Sequence, residues 1–374
     1  MTVKLYDIDS HLSEFSATVI SCENAVAVLD KTAFFPEGGG QTADTGFIDG
    51  VKVNDVQIKD GVIYHYLEKD IEVGKTVDCK IDWDERFRKM RNHSGEHIIS
   101  GIVHSLYGYD NVGFHLSKTE MTMDFNGILT RDDLNKIELL ANKAVWENVK
   151  FNCYYPENLE NLEYRSKLDL TKDVRIVEIE NYDRCACCAP HVNTSSEIGM
   201  IKILDFEKNK GGVRLWVKCG ADALCDYNLK YQNGLKISSL LCAEQDNIAD
   251  AVEKLIATEG ELKFKITDLK RRLIAEKVKA FVGEKVITAE FESDMDIKEL
   301  QLYADALYKK SGGVRAVFSG KEGEYSFAIV GDEAPLQELF KEMKTVLNIR
   351  GGGRGTMVQG TVFAKRAEIE KIML

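Results

Sequence analysis

The sequence lacks any run of apolar residues that approaches the roughly 20 needed to cross a membrane. The N-terminal stretch, Met1 to Ser10, carries charged residues and has no apolar segment of the kind found in signal peptides. We therefore expect a cytoplasmic protein with no membrane partner. An excess of positive charge is also lacking, because 49 Lys and Arg stand against 61 Asp and Glu. The formal charge of −12 argues against non-specific coating of nucleic acid, although a local basic groove is compatible with it.

The cysteines do not form the pattern of a disulfide scaffold. There are nine of them, an odd number, and most stand alone among strand-like or helical residues, where a buried small hydrophobic side chain is expected. Only Cys185, Cys187 and Cys188 cluster. With 374 residues, 44% of them hydrophobic and 29% charged, the chain is typical of a globular protein of two or three domains.

Patterning predicts an α+β fold class with four stretches. Residues 1–88 alternate short β-branched runs with Gly and Asp turns, which indicates a small β-barrel. Residues 89–235 mix helical and strand patterns, which indicates a two-layer α+β core. Residues 236–282 form a helical, coiled-coil-like connector, and residues 283–374 a C-terminal α/β domain with a glycine-rich motif.

The connector is predicted from a seven-residue repeat of apolar residues, namely Leu241, Ile248, Leu255, Leu262 and Leu269. Gln245 and Glu259 interrupt the intervening seam, and Gly260 suggests a bend or turn. An intermolecular coiled coil and an intramolecular hairpin are equally compatible with this pattern.

Two short motifs in the second stretch predict a metal site. His93 and His97 are four residues apart on a helical pattern, so that one turn places both imidazoles on one face. Cys187 and His191 have the same spacing, and Pro190 disfavours a helix there. Thiolate and neutral imidazole are the ligands that tetrahedral Zn²⁺ prefers.

Three kinds of zinc site compete at this level. A closed structural site would use Cys185 and Cys188 as a C-x-x-C pair with the two histidines. A metallopeptidase would use the H-x-x-E-H pattern, with Glu96 as general base. A hydrolase would hold zinc with His93, His97, Cys187 and His191 at a substrate pocket. The spacing alone does not choose among them.

A glycine-rich segment favours the hydrolase. Gly38, Gly39 and Gly40 follow an aromatic pair and precede Gln41. Without Cβ atoms, these residues let a ligand approach the main chain closely, while Thr32 and Gln41 offer polar groups. The segment therefore suits a small polar substrate.

Together these motifs resemble the free-standing alanyl-tRNA editing proteins, which are relatives of the editing and C-terminal parts of alanyl-tRNA synthetase. The resemblance is carried by the Gly38 to Gln41 loop, the two histidine-containing motifs, the Gly199-x-Ile201-Lys202 segment and the glycines of 351–360. It covers almost the whole chain and implies the long form, with an editing core, a helical connector and a C-terminal domain.

The resemblance implies that His93, His97, Cys187 and His191 bind Zn²⁺. It also implies hydrolysis of tRNA(Ala) charged with serine or glycine, without the class II aminoacylation core. The sequence departs from the family where Cys-Gly-Gly-Thr-His becomes Cys-Cys-Ala-Pro-His, which places a second thiol at Cys188, and where Phe35 replaces a common Tyr. We expect Thr32 to contact the serine hydroxyl, and Gln41 with zinc to position the ester and the attacking water; no general base is evident.

Contacts with the tRNA acceptor stem are expected from locally basic segments. These are Arg86, Arg88, Lys89 and Arg91 before the zinc helix, Lys270 to Arg272 in the connector, and Arg350 and Arg354 beside the C-terminal glycines. A homodimer through the connector or the C-terminal domain is also expected. The first alternative is a non-catalytic tRNA-binding module with structural zinc, and the second is the metallopeptidase.

Overall fold

The computed structural model describes residues 2–118, 120–159, 162–166, 174–283 and 286–373. It is a mixed α+β structure with several sheets, which confirms the predicted class. The chain divides into two compact units, 1–236 and 237–374. Among the described residues, no helix is both long and apolar enough to cross a membrane.

The first unit intersperses strands with helices. Its strands are β1 (Val3–Lys4), β2 (Glu14–Glu23), β3 (Val26–Leu29), β4 (Lys31–Thr32), β5 (Gly46–Ile48), β6 (Val51–Lys59), β7 (Val62–Leu67), β8 (Thr76–Ile81), β9 (Asn111–Leu116), β10 (Met121–Phe125), β11 (Phe151–Tyr154), β12 (Ile176–Ile179), β13 (Asp183–Ala186), β14 (Ile201–Asn209) and β15 (Gly212–Cys219). Its helices are α1 (Leu5–Ile8), α2 (Trp83–Tyr107) and α3 (Arg131–Trp146), with a 3₁₀ helix at Ser195–Ile198. Helix α4 (Ala221–Leu241) begins in this unit and ends in the second.

Six N-terminal strands pair in a closed cycle, in the order β2, β3, β7, β6, β5, β8 and back to β2. We call this the closed N-terminal sheet. Two of its hairpins turn on Asp49-Gly50 and Asp60-Gly61, and all four residues have positive φ angles. An Asp-Gly pair suits such tight turns because both central residues must adopt the left-handed region. The inward side chains of the sheet form a hydrophobic core of their own.

Helix α2 lies at the centre of the first unit. It begins after Asp82, whose side chain accepts a hydrogen bond from the Glu85 amide, and ends at Gly108, which has a φ of 69°. Its apolar residues share a core with α3 and with the antiparallel sheet of order β14, β15, β10, β9. The antiparallel strands β11, β12 and β13 form a further sheet. Since α2 runs continuously through residues 88 and 89, the predicted domain boundary falls inside a helix.

The second unit is built on one five-stranded sheet. Its order is β16, β17, β18, β20, β19, with only the β16 and β17 pair parallel. The strands are β16 (Ile287–Glu292), β17 (Val314–Lys321), β18 (Glu324–Val330), β19 (Asn348–Gly352) and β20 (Met357–Phe363). The helices are α5 (Ile248–Ala280), α6 (Ile297–Ser311), α7 (Glu333–Val346) and α8 (Arg366–Met373), with a 3₁₀ helix at Gln245–Asn247.

The predicted connector is occupied by the end of α4 and by α5. The expected bend at Gly260 is wrong, because α5 continues through this residue. No neighbouring atom of the described residues lies within 4 Å of the position where a Cβ would stand there. The division of the chain into four domains stays a prediction.

Replacing Gly101 tests how tightly α2 packs. A Cβ at this position would lie 2.1 Å from the Tyr182 carbonyl oxygen and 2.8 Å from Asp183 Cβ. We expect Gly101→Ala to lower the free energy of unfolding of the first unit by roughly 1–3 kcal/mol, because the backbone must move. Chemical denaturation measures this. The matched control is Gly234→Ala in α4, where a Cβ meets open space. Equal midpoints for the two variants would contradict the close approach.

Candidate metal centre

The structure brings the four predicted ligands together. His93 and His97 lie on consecutive turns of α2, and Cys187 and His191 lie in the segment that follows β13. One ligand atom from each of the four side chains lies within 4.8 Å of the others. Neither pair of residues would fill a tetrahedral shell alone, so the site requires both segments.

Each of the three imidazoles is oriented through its Nδ1 atom. His93 Nδ1 lies 3.1 Å from Gln41 Oε1, and His97 Nδ1 lies 3.0 Å from Asp183 Oδ2. His191 Nδ1 lies 3.1 Å from Ser94 Oγ. A partner at Nδ1 leaves Nε2 as the ligand atom, which is the usual arrangement around a protein-bound metal.

The spacing of the donor atoms suits a small tetrahedral ion. Cys187 Sγ lies 3.5 Å from His93 Nε2 and 3.4 Å from His191 Nε2. Ligands at 2.0–2.3 Å from a tetrahedral centre are about 3.3–3.8 Å apart, so these separations need little adjustment. One thiol and three imidazoles are a donor set that zinc accepts. The residues therefore fit a metal ion.

Burial sets the protonation of the cluster in the absence of a cation. It lowers the pKa of His191 well below its usual value, and the neighbouring His97 and His93 lower it further. His191 is therefore neutral, as a metal ligand must be. Burial also raises the pKa of the Cys187 thiol well above its usual value. A thiolate at this position requires a bound cation.

The other two clustered cysteines have different positions. Cys188 is exposed, and it does not belong to the four-residue group within the described part of the chain. Cys185 is buried and lies with His97 and Asp183 in a second, three-residue group. Of the three clustered cysteines, Cys187 is the one whose sulfur lies with His93, His97 and His191 among the described residues.

A cavity of about 410 Å³ opens beside the cluster. Gly39 and Gly40 form part of its wall, together with His93, His97 and Cys187. Gly40 has a φ of 81°, and a Cβ there would lie 2.6 Å from the Phe114 carbonyl oxygen, so glycine is required. The cavity lies within the size range of small-ligand sites.

The remaining residues of the glycine segment shape it rather than line the cavity. Gly38 and Gln41 exchange backbone hydrogen bonds of 3.1 and 3.0 Å, which close a turn. Gln41 is 1% exposed, and its Oε1 accepts from His93. Its amide Nε2 is buried with no hydrogen-bond partner among the described residues. Gln41 therefore orients a predicted metal ligand and retains an unused donor.

Glu96 also lines the cavity. Its Oε1 accepts hydrogen bonds from Ser100 Oγ at 2.9 Å and from Asn111 Nδ2. Its Oε2 lies 3.7 Å from His97 Nε2. This places a carboxylate, held by two donors, beside the predicted metal ligands.

Thr32 does not occupy the predicted position. Its side chain is fully buried at the end of β4, and it is not among the described residues that line the cavity. The hydroxyl pairs with His65 Nε2 at 2.9 Å and accepts from the Phe34 amide at 3.1 Å. Burial lowers the pKa of His65 to about 4, and its Nδ1 faces the Ala27 carbonyl, so Nε2 is the acceptor. The predicted contact with a serine hydroxyl is therefore not supported.

Two of the predicted tRNA-binding residues are buried, and the prediction is wrong for them. Arg86 is 0% exposed, and its guanidinium pairs with Asp44. Lys89 is 2% exposed and donates to the carbonyls of Thr42, at 3.2 Å, and Ala43. Both side chains fasten the segment after the glycines to α2, because a buried charge needs such partners.

The other basic candidates are more accessible. Arg88 is half-buried and bonded to Glu85, Asp222 and the Ser117 carbonyl. Arg91 donates to the Glu197 carbonyl and lies over the Phe87 ring. Arg350 and Arg354 are exposed, as is Arg271, whereas Lys270 pairs with Glu299 and Arg272 with Asp268.

Sequence reasoning missed several residues that orient the cluster. Asp183 receives two hydrogen bonds of 2.8 Å from Arg165 besides its contact with His97. Burial alone would raise the pKa of Asp183, but the His97 and Arg165 hydrogen bonds leave it lowered and the carboxylate charged. Arg175 donates to the carbonyls of Cys187 and Ala189. None of these residues belongs to a sequence motif with a recognisable spacing.

The chain is similar in sequence to proteins that act on tRNA or carry their domains. Residues 4–85 match the family model for tRNA synthetases class II (A), and residues 174–215 match that for the threonyl and alanyl tRNA synthetase second additional domain. An alanine--tRNA ligase of Ignicoccus hospitalis is 34% identical over 76% of the chain, which spans about a third (31%) of that protein. The alanyl-tRNA editing protein AlaX-L of Pyrococcus horikoshii is 27% identical over 100% of the chain and 98% of its own length. Alanyl-tRNA editing protein Aarsd1 of Danio rerio is 27% identical over 98% of the chain and 95% of its own.

Cysteine variants test which sulfur binds metal. We expect the purified protein to hold one zinc per chain, measured by elemental analysis. Cys187→Ala should remove most of it, since three imidazoles leave the shell incomplete, and adding His191→Ala should remove the rest. Cys188→Ala is the matched control and should retain the full content. If the Cys187→Ala, His191→Ala variant retained its zinc, the result would indicate a site at Cys185 and Cys188 instead.

Proposed function

Because the chain belongs to the family of free-standing alanyl-tRNA editing proteins, we propose that it hydrolyses the ester of tRNA(Ala) mischarged with serine or glycine. The class II family match is confined to residues 4–85, in the region of the closed N-terminal sheet, and we propose that aminoacylation activity is absent. The observation that carries the proposal is the group of His93, His97, Cys187 and His191 at the wall of a cavity of about 410 Å³.

The need for such a hydrolase follows from the limited discrimination at the site that selects alanine for attachment to tRNA(Ala). A pocket built for alanine rejects serine or glycine only weakly, because an added hydroxyl or a missing methyl changes binding by a small amount. A second site selects serine if it hydrogen-bonds the hydroxyl, since alanine then leaves that polar partner unpaired.

The cavity supplies groups for an aminoacyl ester. Glu96 offers a carboxylate to the α-ammonium group, and the glycine segment lets the ester approach the main chain closely. Gln41 Nε2 is a buried donor without a partner among the described residues, beside His93. We propose that Gln41, rather than Thr32, helps to position the ester, and that it does so through the imidazole of His93, which its Oε1 orients.

We propose zinc as the cofactor, held by the three Nε2 atoms and Cys187 Sγ. A zinc ion bound there supplies Lewis-acid polarisation to an ester carbonyl or a water molecule. Gln41, Asp183 and Ser94 keep the imidazoles in the required tautomer. Four protein ligands also suit a structural ion, which is the observation that favours the alternative of a non-catalytic tRNA-binding module.

The proposed partner is the acceptor stem of tRNA(Ala). Arg88 and Arg91 stay candidates near the cluster, and Arg350, Arg354 and Arg271 stay candidates in the second unit, because these side chains reach the surface. Self-association through the connector or the C-terminal domain is a separate part of the proposal. A cytoplasmic location would agree with a tRNA substrate.

Deacylation of a panel of charged tRNAs tests the function. We expect release of serine from Ser-tRNA(Ala), with glycine as a second substrate, and little release of alanine. The Cys187→Ala, His191→Ala variant should lose the activity by 100-fold or more if each removed contact contributes about 1.4 kcal/mol to the transition state. Cys188→Ala should keep it. An inactive, zinc-loaded parent chain that still binds tRNA would support the non-catalytic module, and peptide cleavage without ester cleavage would support the metallopeptidase.

Thr32→Val tests the corrected role of Thr32. Removal of the hydroxyl leaves His65 Nε2 and the Phe34 amide without their partner, so the free energy of unfolding should fall by about 1–3 kcal/mol. We expect the ratio of serine to alanine release to stay unchanged, measured in single-turnover reactions. Thr32→Ser is the control that keeps the hydroxyl. A reduced ratio in folded, metal-loaded Thr32→Val would restore Thr32 as a specificity residue.

A further inference from the structure

The substrate proposed for the metal centre carries more than an aminoacyl group. Its ester is formed with the ribose of the 3′-terminal adenosine of the tRNA, so an ester at the cluster brings the base and the phosphate of that nucleotide to the same cavity. This cavity, of about 410 Å³, is lined by Lys4 and Tyr155 as well as by predicted metal ligands. Neither of these two side chains belongs to the four-residue metal group.

Lys4 places a positive charge at the cavity. Its strand, β1, pairs in parallel with β4, and Lys4 stands opposite the fully buried Thr32, so its backbone is held in place. The side chain is half-buried, and its ammonium group forms no ion pair with a carboxylate of the described residues. A half-buried ammonium group without a counter-charge favours an anionic ligand.

Tyr155 presents an aromatic ring in a set orientation. The residue is 50% exposed, and its hydroxyl donates a hydrogen bond to Asp7 Oδ2 at 2.9 Å. Burial and the charge of Asp7 raise the pKa of Tyr155 to about 12, so the hydroxyl keeps its proton and stays the donor. Because the hydroxyl is anchored and the residue lines the cavity, the exposed part of the ring is a surface on which a base can stack.

The same polar network reaches the metal centre. Asp7 Oδ1 lies 3.5 Å from Arg175 Nε, and the Arg175 guanidinium donates to the carbonyl of Cys187 at 3.1 Å and to that of Ala189 at 2.9 Å. Arg175 therefore balances the charge of Asp7, which leaves the ammonium group of Lys4 available. The network also links the Tyr155 hydroxyl to the segment that carries Cys187.

Charge distinguishes two directions in which a nucleotide can extend from the cluster. The lining of the 410 Å³ cavity contains three basic residues and one acidic residue, namely Lys4, Arg165, Arg175 and Glu96. An adjoining cavity of about 750 Å³ shares Val112 and Arg165 with it. The lining of this second cavity contains three acidic and two basic residues, namely Asp110, Glu163, Asp183, Arg165 and Arg184. A phosphate is repelled by the acidic excess, so the side of Lys4 is favoured.

We propose that Lys4 and Tyr155 bind the 3′-terminal nucleotide of the tRNA substrate. Lys4 pairs with the phosphate of this nucleotide, and its adenine stacks on the ring of Tyr155. The proposal rests on the proposed function, because it takes an aminoacyl ester as the ligand of the metal centre. Both residues hold the substrate and take no part in the cleavage of the ester bond.

Binding of an uncharged tetranucleotide, ACCA, tests the site without requiring hydrolysis. Fluorescence anisotropy of the 5′-labelled tetranucleotide gives its Kd for the zinc-loaded full chain. We expect Lys4→Ala to weaken binding and to reduce the slope of log K against log salt by about 0.7, the value for one phosphate of a single strand. Lys4→Arg should restore the slope.

The matched control is Lys52→Ala in β6, which makes the same charge change at an exposed position outside the described cavity lining. Its slope should equal that of the parent chain. A parent chain that does not bind the tetranucleotide, or equal slopes for Lys4→Ala and Lys52→Ala, would overturn the proposal.

Tyrosine variants test the stacking. Tyr155→Ala should raise the Kd of the tetranucleotide about tenfold or more, whereas Tyr155→Phe should keep most of the affinity because the ring remains. Tyr66→Ala in β7 is the matched control, since Tyr66 is 40% exposed and lies outside the described cavity lining.

A tetranucleotide whose 3′-terminal residue lacks its base identifies the stacked nucleotide. It should bind the parent chain as weakly as ACCA binds Tyr155→Ala, and Tyr155→Ala should weaken its binding no further, since the two changes remove the same contact. If the two losses added, the ring would face another nucleotide and the assignment would be wrong.

Deacylation kinetics separate this proposal from the proposed function. With Ser-tRNA(Ala), Lys4→Ala and Tyr155→Ala should raise KM and leave kcat and the zinc content close to those of the parent, because they remove binding that is equal in the ground and transition states. Hydrolysis by both variants at the KM of Lys52→Ala and Tyr66→Ala would overturn the nucleotide site and leave the proposed function intact. Tetranucleotide binding that depends on Lys4 and Tyr155 in a chain that releases no amino acid would overturn the proposed function and support the nucleotide site.

Discussion

The first unit depends on the burial of a polar helix face. The buried side chains of α2 include Arg86, Lys89, Asn92, His93, Ser94, Glu96, His97 and Ser100. A buried polar group without a partner costs far more than a satisfied one contributes, so each of these side chains requires a partner from another segment. The partners come from the glycine segment and the residues after it, from the start of β9, from the start of β13 and the segment after it, and from the start of α4. The candidate site is therefore complete only when all of these segments pack on α2.

This constraint explains why the glycine segment is so well placed. Arg86 holds Asp44, and Lys89 holds the Thr42 and Ala43 carbonyls, so the chain after the glycines is fastened to α2 at two points. Gln41 then reaches His93 one turn further along the helix. Residues that resemble a nucleic-acid contact in the sequence thus serve to set the orientation of an imidazole.

The sequence was sufficient for the candidate ligands but not for their surroundings. His93 and His97 could be predicted because helical spacing alone aligns them, and Cys187 and His191 because a thiol and an imidazole recur at a matching interval. Asp183 and Ser94 carry no such signal, since their pairing arises only when distant segments meet. The locally basic segment that contains Arg86 and Lys89 predicts contact with tRNA at the surface, because charged residues are seldom buried, but specific partners override that tendency here. The heptad pattern correctly indicated a helix, but it did not show that Gly260 is accommodated without a bend.

The polar face of α2 also affects how the incomplete chain behaves during its synthesis. Helix α2 ends at Tyr107, yet Asp183, His191 and Asp222, which its side chains contact, come 76 or more residues later. At about 5–20 residues per second, several seconds pass before the last of them leaves the ribosome. An apolar helix face that stayed exposed for that time would associate with other nascent chains. Histidine, serine and asparagine side chains form hydrogen bonds with water instead, so the polar face of α2 stays hydrated until the strands and loops that enclose it have been synthesised.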